Sequence, residues 1–123
     1  MEIYRFSIEV GKEIEQFGSV KAIISKVVNL ESEAAVNVVY IRPMERIISQ
    51  QAAASQLFLL VEGEGWVRNE SDNIFPLQEG HAVYWEKDEW HESGSENGMT
   101  AVIIEGVNFD PANLMPLLQK DEP

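Results

Sequence analysis

The apolar residues of this chain come in short runs, and that spacing limits the fold more than any other feature. Val20–Val28, Ala34–Ile41, Gln56–Glu62, Gly65–Arg68, Ile74–Leu77, Ala82–Glu86 and Met99–Glu105 are each four to nine residues long. They are rich in Val, Ile, Leu, Phe, Tyr and Trp, which suit a pleated, half-buried surface. Between them lie Gly63-Glu64-Gly65, Asn69-Glu70-Ser71-Asp72-Asn73, Glu79-Gly80 and Gly94-Ser95-Glu96-Asn97-Gly98. Such clusters supply positive φ angles and local side-chain hydrogen bonds, as tight turns require. From Gly63 onward they recur at roughly the 8–12-residue interval of sandwiches and barrels. No helical periodicity runs through residues 20–105, so the middle of the chain reads as all β. Asp110-Pro111, a capping carboxylate followed by proline, predicts a short C-terminal helix with Leu114, Leu117 and Leu118 on one face. Gly11 to Phe17 reads as a helical turn or two, and Lys120–Pro123 as a fraying tail.

Composition narrows the function. The chain carries 21 acidic and 9 basic side chains among 123 residues, a formal charge of −12. Neutralising phosphates takes clustered Lys and Arg, which are missing here, so neither nucleic acid nor an anionic membrane surface is an expected partner. The absence of cysteine excludes disulfides, zinc ribbons, iron–sulfur clusters and thiol nucleophiles. With only His81 and His91, a three-histidine metal site within one chain is excluded too. Glu2 and Glu9 stand where a secretory signal would have its positive end and apolar stretch. The longest apolar run, Leu57 to Val61, is far shorter than the ~20 residues that span a bilayer. A cytoplasmic protein is the expectation.

Familiar catalytic motifs are missing: no nucleophile elbow, no phosphate loop, no paired-histidine zinc helix. Gly63-Glu64-Gly65 begins like a dinucleotide fingerprint, but Arg68 fills the third glycine position and no helix follows. It reads as a hairpin turn. Asn69-Glu70-Ser71 matches a glycosylation sequon and reads more simply as a turn.

Gln56-Leu57-Phe58-Leu59-Leu60-Val61-Glu62-Gly63 resembles the end of the first conserved motif of the cupins, small jelly-roll barrels. That motif carries two histidines, then a glutamate, then a glycine; Gly63 matches the glycine and puts Gln56 at the glutamate. The segment from Gly80 to Ser95 resembles the second cupin motif. Gly80 and His91 match it, while Glu86, Asp88 and Ser95 replace its proline, second glycine and asparagine. The resemblance implies an all-β, cupin-like double-stranded β-helix (a jelly-roll barrel) as a single domain over 1–123, with its barrel core at about 20–106.

A cupin metal site resembles two histidines and a glutamate from the first motif plus a histidine from the second. The shorter motif spacer puts Gln50 and Ala52 at the histidine positions, and the longer one puts Ser49 and Gln51 there. The first register is preferred, because Ala52-Ala53-Ala54-Ser55 then makes a compact lead into the strand. Either way only His91 survives of four ligands. First-row metals favour anionic oxygen or imidazole nitrogen, and the common open iron site needs two histidines and a carboxylate. One imidazole with neutral amide oxygens supplies no ligand charge, so no cofactor and no native catalytic metal are expected. Any divalent metal would have to sit on His91 with Gln50 and Gln56, or recruit a carboxylate such as Glu86 or Glu92.

Two readings of His91 follow. It either ties the motifs together by hydrogen bonding to Gln50 or Gln56, or the three groups orient a ligand in the barrel mouth, as in pockets with few convergent polar groups. His81 follows Gly80 at a strand start and receives no role. Tyr84 and Trp85 are chain neighbours, so only one can line the interior. Trp66, Trp85 and Trp90 read as core or interface, and Glu86, Glu89 and Glu92 as a solvated rim. The functional expectation is a barrel that binds a small organic molecule through Gln50, Gln56 and His91. The alternative is a metal-dependent dioxygenase or isomerase that uses His91 with substitute ligands. A third possibility is an interaction domain with a filled barrel. A homodimer is also expected, because Val20–Val28, Ala34–Ile41, Tyr4 and Phe6 offer more apolar strand than one small barrel can bury, and similar cupins often pair there.

Overall fold

The computed structural model describes residues 1–14, 22–28, 33–107 and 109–120. Eleven strands run through them: β1 (Glu2–Arg5), β2 (Lys12–Ile14), β3 (Ala22–Ile24), β4 (Ala35–Ile41), β5 (Arg46–Gln51), β6 (Ser55–Arg68), β7 (Ile74–Gln78), β8 (His81–Trp85), β9 (Trp90–Gly94), β10 (Met99–Gly106) and β11 (Leu117–Lys120). One sheet has the order β11-β1-β8-β6-β10-β4; β6 then continues into a second layer, where it pairs with β7 and β9, and β9 with β5. Every pairing is antiparallel, and β2 and β3 form a separate ribbon. The result is a jelly roll, two sheets closed over one interior. Among the described residues no helix is long and apolar enough to cross a membrane.

The long strand β6 is the hinge between the layers. Thr100 pairs with Glu62 but Ala101 with Leu60, so Val61 is an extra residue that bends the strand. Two residues on, Gly63 takes φ +89, and a Cβ there would lie 2.2 Å from the Gly98 carbonyl oxygen. Only glycine fits that crossing of backbones. Gly63-Glu64-Gly65 is therefore not the hairpin turn expected from sequence. The chain passes through it as one continuous strand, because turn-forming residues also serve a bulge.

Alternation along β6 feeds two cores. Phe58 and Leu60 face the interior with Val67, Leu77, Val83, Trp85, Met99 and Ala101. Leu57 and Leu59 face outward, where Tyr4, Ala82, Ile104 and Met115 cover them, with Phe6, Val28 and Phe109 packed alongside. Burial on both faces explains why Leu57–Leu60 is an unbroken apolar run rather than an alternating one. Each such side chain contributes about 1.5–3 kcal/mol.

Several expectations fail for local reasons. The C-terminal helix is a single 3-10 turn, Pro111–Asn113, whose Asp110 makes no side-chain cap. Pro116 then blocks helix continuation, and Leu117–Lys120 pairs with β1 instead. Near the N-terminus, Lys12–Ile14 is a strand and not a helical turn, and residues 15–17 of that expectation lie outside the described residues. Of Val20–Val28, only Ala22–Ile24 is strand, and 20–21 lie outside the described residues. Tyr4, 1% exposed, and Phe6 pack within their own chain rather than awaiting a partner. The Asn69 turn is formed, with its Oδ1 accepting the backbone N–H groups of Ser71 and Asn73 at 3.1 and 3.0 Å.

Candidate functional site

One end of the interior is polar. Antiparallel register sets Glu105 of β10 opposite Gln56 of β6, and Gln56 opposite Trp85 of β8. These three share the face that Ile103, Phe58 and Val83 continue inward, so they form the last row of the first sheet's inner surface. From the second layer comes β9 with His91, in register with Gln50 of β5. Gln56 thus lies on one layer and Gln50 with His91 on the other, and Gln50 is exposed rather than in the barrel interior as expected.

Their contacts differ from the expected ones. Gln56, 7% exposed, donates its Nε2–H to Glu105 Oε1 at 2.7 Å. His91, 4% exposed, lies flat against the Trp85 indole, ring centroids 4.1 Å apart and planes 21° apart. Its Nδ1 is 3.5 Å from the Glu89 carbonyl oxygen, the same oxygen that accepts the Ala52 N–H at 2.9 Å. A carbonyl only accepts, so this long contact favours the Nδ1–H tautomer and leaves Nε2 an acceptor. Gln50 is exposed at the rim. His91 thus bonds to neither glutamine. It joins the two motifs through the Trp85 ring.

Burial pushes the His91 pKa below the ordinary histidine value, opposed by the Glu89 carbonyl and the charges of Glu89 and Glu105. Trp85 is fully buried, edge-on to Phe58 with centroids 6.0 Å apart, and its Nε1–H has no hydrogen-bond partner. A buried donor without an acceptor costs about 1–3 kcal/mol. Glu105 was not singled out from sequence. Its signal was period-two alternation, since Met99, Ala101 and Ile103 precede it on the inward face.

Other residues resolve simply. The His81 Nδ1 accepts the Gln78 N–H at 3.1 Å and closes the turn at Gly80; burial and then Arg5 lower its pKa. Glu92 departs from the expected solvated rim: 7% exposed, it takes a hydrogen bond from Arg68 at 3.2 Å and has Arg46 at 3.8 Å. Asp88, standing where the cupin motif has glycine, adopts φ +74, the left-handed conformation that Asp tolerates better than most residues. Ser95, at the motif's asparagine, donates to the Glu64 carbonyl and accepts the Gly98 N–H at 2.7 Å, tying the next turn to β6. A cavity of about 500 Å³ lies outside the barrel, between the β2–β3 ribbon and the 3-10 turn, with Lys12, Ile24 and Leu114 on its wall.

No family model matches the chain, and no curated protein matches it. Solved structures do. A cupin superfamily protein from Desulfitobacterium hafniense aligns with a TM-score of 0.57 at 12% identity, over 69% of this chain and 77% of the other. A cupin-2 domain protein from Shewanella frigidimarina aligns at 0.54 and 18% identity, over 65% and 76%. An RmlC-like cupin with a double-stranded β-helix fold from Methanocaldococcus jannaschii aligns at 0.56 and 12% identity, over 79% and 88%. Likeness at these identities shows the fold: the chain is a cupin-type double-stranded β-helix.

The donor set at the cupin ligand positions does not fit a first-row metal. Ala52 is buried without a donor, Gln50 is exposed, Gln56 offers only a neutral amide oxygen, and the His91 ring is stacked on Trp85. Among the described residues, no three of His, Cys, Asp and Glu are grouped to hold an ion.

Proposed function

We propose that this barrel binds a small organic molecule at its polar end, through Gln50, Gln56 and His91, without a native catalytic metal. The observation that carries the reading is the unsatisfied polarity gathered there. A buried indole N–H lacks an acceptor, and a buried imidazole is stacked on the same ring. Buried polar groups in native proteins are nearly always paired, so a complementary acceptor belongs at this site. A neutral or cationic ligand suits it, because Glu105 and the −12 net charge repel anions.

The test is a nuclear magnetic resonance screen of small polar compounds, monitoring the Trp85 indole N–H and the His91 ring. Binders should shift both signals, and Gln56→Leu should weaken them about tenfold. Binders that leave both signals unmoved overturn the reading. Elemental analysis of freshly purified protein separates it from the metal-dependent alternative. The expected result is no stoichiometric iron, manganese, zinc, nickel or copper. One metal per chain that His91→Ala removes would favour an enzyme with substitute ligands.

A further inference from the structure

Asn97 is the one asparagine of this chain that precedes a glycine. That dipeptide is chemically labile, because glycine has no side chain to keep its backbone nitrogen away from the asparagine side-chain carbon. Asn97 also lies exposed in the turn between β9 and β10, within reach of water.

The turn holds both reacting groups. The Asn97 side-chain amide, the group that would leave, donates to Glu64 Oε1. The Gly98 N–H, the group that would attack, donates to Ser95 Oγ at 2.7 Å. Ser95 is 2% exposed and donates its own O–H to the Glu64 carbonyl oxygen, so β6 anchors both contacts. Attack requires the Gly98 nitrogen to give up its proton and turn toward Asn97 Cγ, which breaks the Ser95 bond. The nitrogen becomes anionic on the way, and the nearby Glu64 carboxylate disfavours that charge.

We propose that Asn97–Gly98 is a self-modification site, held shut by Glu64 and Ser95 in the folded turn and active when the turn opens. Hydroxide takes the Gly98 amide proton, and the nitrogen bonds to Asn97 Cγ. The Cγ–Nδ2 bond breaks, and ammonia leaves with a proton from water, which regenerates the hydroxide. Water then opens the succinimide ring. Attack at Cγ gives aspartate, and attack at the main-chain carbonyl gives isoaspartate.

Either product loosens the same place. A carboxylate replaces the amide that donated to Glu64, so a hydrogen bond becomes a repulsion between like charges. Isoaspartate also lengthens the main chain by one methylene. It does so at a crossing too tight even for a Cβ on Gly63, which would lie 2.2 Å from the Gly98 carbonyl oxygen. A single opening therefore leaves a permanent mark where β6 bends.

The test ages the whole protein at neutral pH and in mild alkali, with and without guanidinium. Peptide mass mapping and isoaspartyl methyltransferase labelling read the conversion. Folded protein should convert at Asn97 more than about tenfold slower than unfolded protein, and both should speed up in alkali. Glu64→Ala and Ser95→Ala should each accelerate the folded reaction about three- to tenfold, as the loss of one hydrogen bond implies. Glu64 is exposed, so Glu64→Ala should keep the wild-type circular dichroism and carries the test even where Ser95→Ala does not fold. Ile104→Val, which loosens the outer core farther along β10, should leave the rate unchanged. Asn97→Asp should melt below the wild type. Equal rates in folded and unfolded protein, a wild-type rate in Glu64→Ala, or equal acceleration by Ile104→Val would each overturn the proposal. So would labelling confined to other residues, or an Asn97→Asp variant as stable as the wild type.

Discussion

Trp85 ends a strand of one sheet, His91 belongs to a strand of the other, and their rings lie 4.1 Å apart and nearly parallel. The pair bridges the layers at the end where apolar packing gives way to Gln56 and Glu105.

Trp85→Ala should therefore cost about 3–5 kcal/mol, as for large aromatic truncations in a core. His91→Phe keeps ring and volume and should change stability by less than about 1.5 kcal/mol. Urea unfolding of the two variants measures both. A small loss for Trp85→Ala would mean that the indole is not a core element.

Protonation of His91 should oppose folding. Its folded pKa lies below the ordinary value, chiefly through burial, so the unfolded chain takes up this proton first as pH falls. The stability tied to a neutral His91 is thus present above about pH 6.5 and is lost as pH falls through the folded pKa. Nuclear magnetic resonance titration should show His91 below the free-histidine value. In Glu105→Gln it should fall further, since the lost carboxylate had favoured the charged ring. A rise in that variant would contradict the geometry of the row.

Gly63→Ala should destabilise by about 2–4 kcal/mol, because it combines positive φ with a backbone collision. Gly98→Ala also has φ +100 but meets its nearest atom at 3.4 Å, so it should cost less. Comparing their thermal midpoints separates strain from collision.

Arg68→Met should cost more than Arg46→Met. The Arg68 side chain is 33% exposed and hydrogen-bonds the buried Glu92, whereas Arg46 is 58% exposed at the longer distance. About 1–3 kcal/mol is expected for the first change and under ~1 for the second, once solvent screening is counted. Equal losses, measured by chemical unfolding, would show that the two arginines share Glu92 evenly.

The strands that carry the interior were readable because each announces itself. Gln56–Glu62, Ala82–Glu86 and Met99–Glu105 are dense in β-forming residues and bounded by turn residues, and the observed strands overlap them closely. β5 and β9 escaped that reading. Their sequences, Arg-Ile-Ile-Ser-Gln-Gln and Trp-His-Glu-Ser-Gly, look like loop, yet Glu92, Ser93 and Gly94 are buried. The place of β9 between β6 and β5, and the pairing of β5 with β9, supply what their composition does not.

Local chemistry, alternation and turn residues are properties of neighbouring positions, and from them the sequence alone determined an all-β chain and a cupin-like motif order. Tertiary structure decided the rest. It made Gly63 a crossing rather than a turn, joined Gln56 to Glu105 and laid His91 on Trp85. Each of these depends on which distant strand arrives alongside, and in which register. A period of two along one strand tells which face a side chain takes, but it carries no information about the partner opposite.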